Sequence, residues 1–266
     1  MNWIEANGVV LRYDLSGSGV DTVVLIHEAG GALESWDDIA PALQERFQVL
    51  CYDQRGFGMS ERGLPISLES MIADLAALLD ALGIADRPVH LVGTAIGGSI
   101  AMAFAARHPA RVAGIVVSSP VTGGLSGATK VALAKRADTI EQEGMRVVAD
   151  TSLARSYPVS MRQDPDKFLQ YRCRFIANDP RSFAALTRTF LTLDLSADYA
   201  VIRCPALVIG CTLDEIKPAR ECVDIAATLP HGKYAEAASG HFIGVLSPRI
   251  LLRLVHDFWD DSHAPQ

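Results

Sequence analysis

Between Val89 and Arg107 a short apolar run, with Val89, Leu91 and Val92, meets Gly93-Thr94-Ala95-Ile96-Gly97-Gly98 and then an alanine-rich segment. That order reads as strand, tight turn and helix. Gly93 and Gly97 stand at the two places where a side chain would collide with the crossing backbone, the requirement of a G-x-S-x-G turn that lifts a nucleophilic serine to its apex. Here the apex is Ala95, which has no hydroxyl to ionise, so the group that would attack a substrate is missing. His27-Glu28 opens like the H-E-x-x-H of a zinc protease, but position 31 is Gly31. Gly56-Phe57-Gly58 lacks the third glycine of a dinucleotide loop, and no P-loop occurs, so neither metal nor organic cofactor is implied.

The elements that must position this turn follow from periodicity. Trp3 to Ala6 and Val9 to Asp14 read as strands closed by Ser16-Gly17-Ser18-Gly19, and Val23-Val24-Leu25-Ile26 as a buried strand. Trp36, Ile39, Ala40 and Leu43 fall at helical spacing and predict a helix over 34–44; 47–52 returns to a strand. Met71, Ile72, Leu75, Leu78, Leu79 and Leu82 make one face of a helix that stops at Gly83. A further strand runs from Val112 to Val117. From Val121 to about Leu195 no strand is expected; helices begin there at Asp164-Pro165 and Asp179-Pro180, a capping residue followed by proline. The sheet resumes at Ala206-Leu207-Val208-Ile209, and a last helix runs from about Pro248 to Trp259. Strands alternating with helices imply an α/β chain with a mainly parallel sheet and functional groups at the carboxyl ends of its strands.

Composition narrows the partners. The net charge of −7 argues against nucleic acid, which wants a concentrated basic face. No apolar run is long enough to span a membrane, and Met1-Asn2-Trp3-Ile4-Glu5 does not open a signal peptide, so the expectation is a cytoplasmic protein without membrane contact. The five cysteines, Cys51, Cys173, Cys204, Cys211 and Cys222, contain no C-x-x-C pair and read as reduced side chains. Between Val121 and Leu195 basic residues outnumber acidic ones, although the rest of the chain is acidic.

The chain resembles the α/β-hydrolases over nearly its whole length. Four signals carry the resemblance in the right order: His27-Glu28-Ala29-Gly30, Tyr52-Asp53-Gln54-Arg55-Gly56-Phe57-Gly58-Met59-Ser60, the 93–97 turn, and Ser239-Gly240-His241-Phe242. Within that superfamily it looks most like the enol-lactonase and carbon-carbon bond hydrolase group. The resemblance implies an eight-stranded sheet with helices on both faces, a core of residues 1–120 and 196–266, and a helical cap over 121–195. It also implies roles: Asp214 as the acid, His241 as the base, and the backbone N–H groups of Ala29 and Ile96 as the oxyanion hole. His27 would support its loop. Glu28 departs from the pattern, where glycine is usual; it is expected either to pair with Arg55 or to face the pocket, and the pairing is favoured.

Two readings of Ala95 stand. In one, alanine replaces the serine of a hydrolase acting on a small, carboxylate-bearing ester, lactone or C–C substrate. In the other, Ala95 is native, and His241 with Asp214 serves as a general base for a lyase, isomerase or water-activating hydrolase, or the chain only binds a ligand. The arginine excess predicts a pocket between cap and sheet in which Arg155, Arg172 or Arg174, together with Glu28, meets a small substrate; an arginine facing inward there would suit an anionic one. A monomer or a homodimer fits equally.

Overall fold

Val23, Val24, Leu25 and Ile26 are all fully buried, yet they serve two different cores: Val24 and Ile26 pack on one face of the sheet, Val23 and Leu25 on the other. Only a strand covered on both sides can use an unbroken apolar run in this way. The computed structural model describes residues 1–84 and 86–263. Its sheet holds β1 (Asn2–Ala6), β2 (Val9–Ser16), β3 (Thr22–Ile26), β4 (Gln48–Tyr52), β5 (Val89–Thr94), β6 (Val112–Ser118), β7 (Ala206–Cys211) and β8 (Gly232–Ala237). Their spatial order is β1-β2-β4-β3-β5-β6-β7-β8. β2 runs antiparallel to β1 and β4, and every pairing from β4 through β8 is parallel. This is the eight-stranded, mainly parallel sheet that the motifs imply.

Helices cover both faces. α1 is a single turn (Ala40–Leu43), followed by α2 (Leu68–Ala81) and α3 (Ile96–Arg107). Between β6 and β7 lie only helices: α4 (Gly127–Glu143), α5 (Arg146–Ser156), α6 (Pro165–Ile176), α7 (Pro180–Thr189) and the short α8 (Ser196–Tyr199). After β7 come α9 (Ala219–Thr228), the turn α10 (Ile243–Leu246) and α11 (Pro248–His263). Asp164 and Asp179 cap α6 and α7 as their sequences suggest, accepting hydrogen bonds from Asp166, Lys167 and Ser182 amides, with proline in each first turn.

The helix expected over 34–44 is broken into a 3-10 turn, Leu33–Trp36, and the single turn α1. Pro41 has no N–H to donate back to residue 37, so a continuous helix would lack a bond there. Trp36, Ile39 and Leu43 are nevertheless all buried, so the apolar spacing reported burial correctly and conformation wrongly. His90, which carries no motif in the sequence, is buried on β5 against the Phe47 and Trp259 rings.

The β4 loop explains its own sequence. Asp53 accepts hydrogen bonds from the Leu33 and Met59 amides, each at 2.7 Å, and from Arg12 at 3.2 Å. A Cβ on Gly58 would fall 2.1 Å from the Asp53 carboxylate, so the loop can close on that carboxylate only with glycine there. The motif around Asp53 is therefore a device for holding loops beneath the carboxyl ends of the strands.

Candidate active site

β3 and β5 are neighbours, but the chain leaves β3 toward β4 on one side and reaches β5 on the other. Such a reversal opens a crevice beyond the carboxyl ends of the strands. The loop after β3 carries Ala29, and the turn after β5 carries Ala95. Ala95 is held at φ 52°, ψ −116°, a left-handed conformation that a side-chain-bearing residue adopts only at a cost of about 1–3 kcal/mol. The turn is enforced from both ends: a Cβ on Gly93 would lie 2.3 Å from the Gly97 carbonyl oxygen, and one on Gly97 would lie 2.0 Å from that of Ile26. Thr94, beside it, turns its hydroxyl away to accept from Ser118 at 3.1 Å.

Asp214 follows β7, and its two oxygens are divided between tasks. Oδ1 accepts the amides of Ile216 at 2.7 Å and Lys217 at 3.0 Å, which fixes the carboxylate; Oδ2 meets His241 Nδ1 at 2.7 Å. His241 lies between β8 and α10, 4% exposed, and its amide donates to the Ser156 carbonyl at the end of α5. With Nδ1–H held by the carboxylate, Nε2 is the basic nitrogen, and it has no hydrogen-bond partner among the described residues. Burial would push the Asp214 carboxyl up, but the hydrogen bond and charge of His241, the Lys217 amide and the nearby Ser119 hydroxyl together hold it below its usual value.

That depression links the site to stability. A carboxyl with a lowered folded pKa contributes stability above its unfolded value of about 3.9, and the contribution disappears as pH falls through the folded value. Asp214→Asn is therefore expected to lower the urea midpoint near neutrality, with the gap to the parent starting to close below about pH 4 and vanishing only once pH has fallen through the lowered folded value. Parallel midpoint curves over that range would contradict it.

Ala29, Ala95, Ile96, Ser119, His241 and Phe242 share one cavity of about 650 Å³ with residues of the helical segment. The Ala29 and Ile96 amides take no hydrogen bond among the described residues, Ile96 because it opens α3. The β3 loop is tied to the helices above it by Asn178, whose Nδ2 donates to the Gly30 carbonyl at 2.9 Å. His27 is a loop support: its ring binds the Glu28 carbonyl and accepts the Gln54 amide.

The other expected contacts separate. Glu28 does not pair with Arg55, which binds Asp74, and it is not among the residues lining the cavity. It is 2% exposed, and one of its oxygens accepts both Ser35 and Tyr171 hydroxyls at 2.9 Å. Arg155 does line the cavity. Arg172 instead pairs with Asp150 on the surface, and Arg174 lies over the Tyr171 ring; neither lines it. A charge in the sequence does not reveal which helix face bears it. The same lack of signal hid Arg136, Lys217 and Ser119, which do line the cavity.

A family model described as alpha/beta hydrolase fold matches residues 21–248. The putative carbamate hydrolase RutD of Pantoea ananatis is 30% identical over 234 residues, 86% of this chain and 84% of its own. The 2-hydroxy-6-oxo-2,4-heptadienoate hydrolase of Pseudomonas putida is 28% identical over 96% of this chain and 94% of its own. The crystal structure of the enol-lactonase from Burkholderia xenovorans LB400 superposes with a TM-score of 0.90 at 28% identity, covering 97% of this chain and all of that one.

Proposed function

Because the chain belongs to the α/β-hydrolase fold family, we propose that it is a hydrolase site for a small ester, lactone or C–C bonded ketone, with residues 121–195 as its cap. His241, steered by Asp214, is the general base, and the amides of Ala29 and Ile96 receive the oxyanion. The observation that carries this reading is the 2.7 Å bond from His241 Nδ1 to Asp214 Oδ2, in a cavity wall shared with Ala95 and both amides.

As it stands the chain offers no side-chain nucleophile at residue 95, so water must attack. His241 Nε2 takes one proton from water as the oxygen bonds to the substrate carbonyl carbon, and the displaced electron pair settles on the carbonyl oxygen facing the two amides. Collapse of that intermediate expels the leaving group, to which the imidazolium returns the proton. Asp214 stays ionised throughout and stabilises the imidazolium. His241→Ala is expected to lower the hydrolysis of p-nitrophenyl acetate by about 10²–10⁴. Equal rates in the two proteins would remove His241 from the reaction.

A second reading is favoured by the backbone. The strained φ at residue 95 is the conformation that presents a side chain at the apex of the turn, and a methyl group gains nothing there. With serine at this position the same base would activate a covalent nucleophile, and Ala95 would mark a hydrolase stopped at substrate binding.

A further inference from the structure

We infer that Tyr171, on α6, is a positioning residue that couples the helical segment to both catalytic loops, holding the oxyanion amide of Ala29 through its hydroxyl and the His241 imidazole through its ring. The catalytic consequence rests on the hydrolase reading; the coupling does not. Tyr171 is 1% exposed and does not line the cavity, so it acts on a substrate only through its neighbours.

On one side the Tyr171 hydroxyl donates to Glu28 Oε1 at 2.9 Å, where the Ser35 hydroxyl also donates. Glu28 immediately precedes Ala29. Its carbonyl closes the turn by accepting the Gly31 amide at 3.0 Å, and its carboxylate folds back over that turn, since a Cβ on Gly31 would lie 2.6 Å from Oε1. The Asn178 bond to the Gly30 carbonyl ties the turn on the other side of Ala29. A buried carboxylate is costly unless donors satisfy it, and an apolar side chain would fill the space at lower cost. What the charged group adds is a fixed direction for the turn that aims the Ala29 amide. Burial, then the charge of Glu28 and its hydrogen bond, hold the Tyr171 phenol well above its ordinary pKa, so it stays a donor.

On the other side the Tyr171 ring packs on Phe242, with centroids 5.6 Å apart, and Phe242 packs on the His241 imidazole at 5.0 Å. The helical segment grips the adjoining backbone too: the Gly240 amide donates to Met161 Sδ at 3.2 Å, and the His241 amide to the Ser156 carbonyl at 3.2 Å. A catalytic group misplaced by about 1 Å can lose about 10² in rate. A rigid side chain that reaches both loops therefore governs how the base stands relative to the oxyanion donor.

The test uses p-nitrophenyl acetate and the Ala95→Ser protein. Tyr171→Phe keeps the ring and deletes the hydroxyl; it is expected to lower kcat at least about tenfold while KM stays within about twofold, because the oxyanion forms only on the way to the transition state. Tyr171→Leu removes the ring as well and should lower kcat further. Phe168→Leu, on the same helix but packed against Tyr157 and Arg162, should leave kcat unchanged. A kcat kept by Tyr171→Phe, or lowered as much by Phe168→Leu, overturns the inference. Hydrogen exchange in the chain with Ala95 reads the coupling without any chemistry. Tyr171→Phe should speed exchange over residues 28–33 at least about tenfold, and Tyr171→Leu over 239–243 as well, with β6 exchanging as in the parent. Exchange unchanged over 28–33 in the first variant, or over 239–243 in the second, overturns the inference whatever the ester does. No hydrolysis by the Ala95→Ser protein, with the exchange pattern present, overturns the hydrolase reading alone.

Discussion

Ala95→Ser is expected to raise the hydrolysis of p-nitrophenyl acetate by a factor of about 10³ or more. Removing one member of a serine triad leaves about 10³–10⁴-fold acceleration over water, from binding and the oxyanion hole, while the loss of the serine itself costs up to about 10⁶ in kcat. The backbone turn and the His241–Asp214 pair that the substitution would draw on share one cavity with residue 95. The Gly93 and Gly97 contacts hold residue 95 at the apex, its amide donates to the Ser118 carbonyl at 2.9 Å, and the Asp214 carboxylate already orients His241. The substitution adds one oxygen on the cavity side and leaves the backbone strain unchanged, because serine meets the same φ penalty as alanine. The gain should vanish in Ala95→Ser combined with His241→Ala. A gain below tenfold, in protein with unchanged circular dichroism, would mean that the imidazole does not face the apex.

The second large effect concerns stability. Asp74 lies on α2, 1% exposed, and accepts a two-pronged hydrogen bond from Arg55, with Nε at 2.5 Å, together with Asn7 Nδ2 at 2.8 Å. Arg55 is 7% exposed, and its remaining hydrogen bond goes to the Pro65 carbonyl at 3.0 Å. Asp74→Ala leaves that guanidinium buried without a counter-charge, and the expected loss is about 3–5 kcal/mol, read as a fall in the urea midpoint at constant slope. Replacing both partners, Arg55→Met with Asp74→Leu, removes the stranded charge and should recover most of the loss. A single variant no worse than the double would show that the pair contributes through packing alone.

The elbow was legible in the sequence because glycine is the only residue that tolerates the contacts at 93 and 97, so the need is written in residue type. The same is true of the Asp53 loop and of the proline-capped helices α6 and α7. The apolar pattern over 34–44 was less informative: hydrophobic spacing reports which side chains face the core, and Pro41 decided the backbone. Glu28 could not be placed from sequence, since its partners, Ser35 and Tyr171, lie 7 and 143 residues away and carry no charge. The arginines were the least legible. Arg155 and Arg172 are alike in type and segment, and only the packing of α5 and α6 sends one to the cavity and the other to Asp150.

Mass spectrometry of the Ala95→Ser protein after exposure to a fluorophosphonate probes the convergence at residue 95 most directly. One adduct per chain, mapped to residue 95, slowed strongly by His241→Ala and absent from the chain with Ala95, is the predicted result. An adduct mapped elsewhere, or labelling that proceeds equally with and without His241, would contradict a base poised over the apex of the turn.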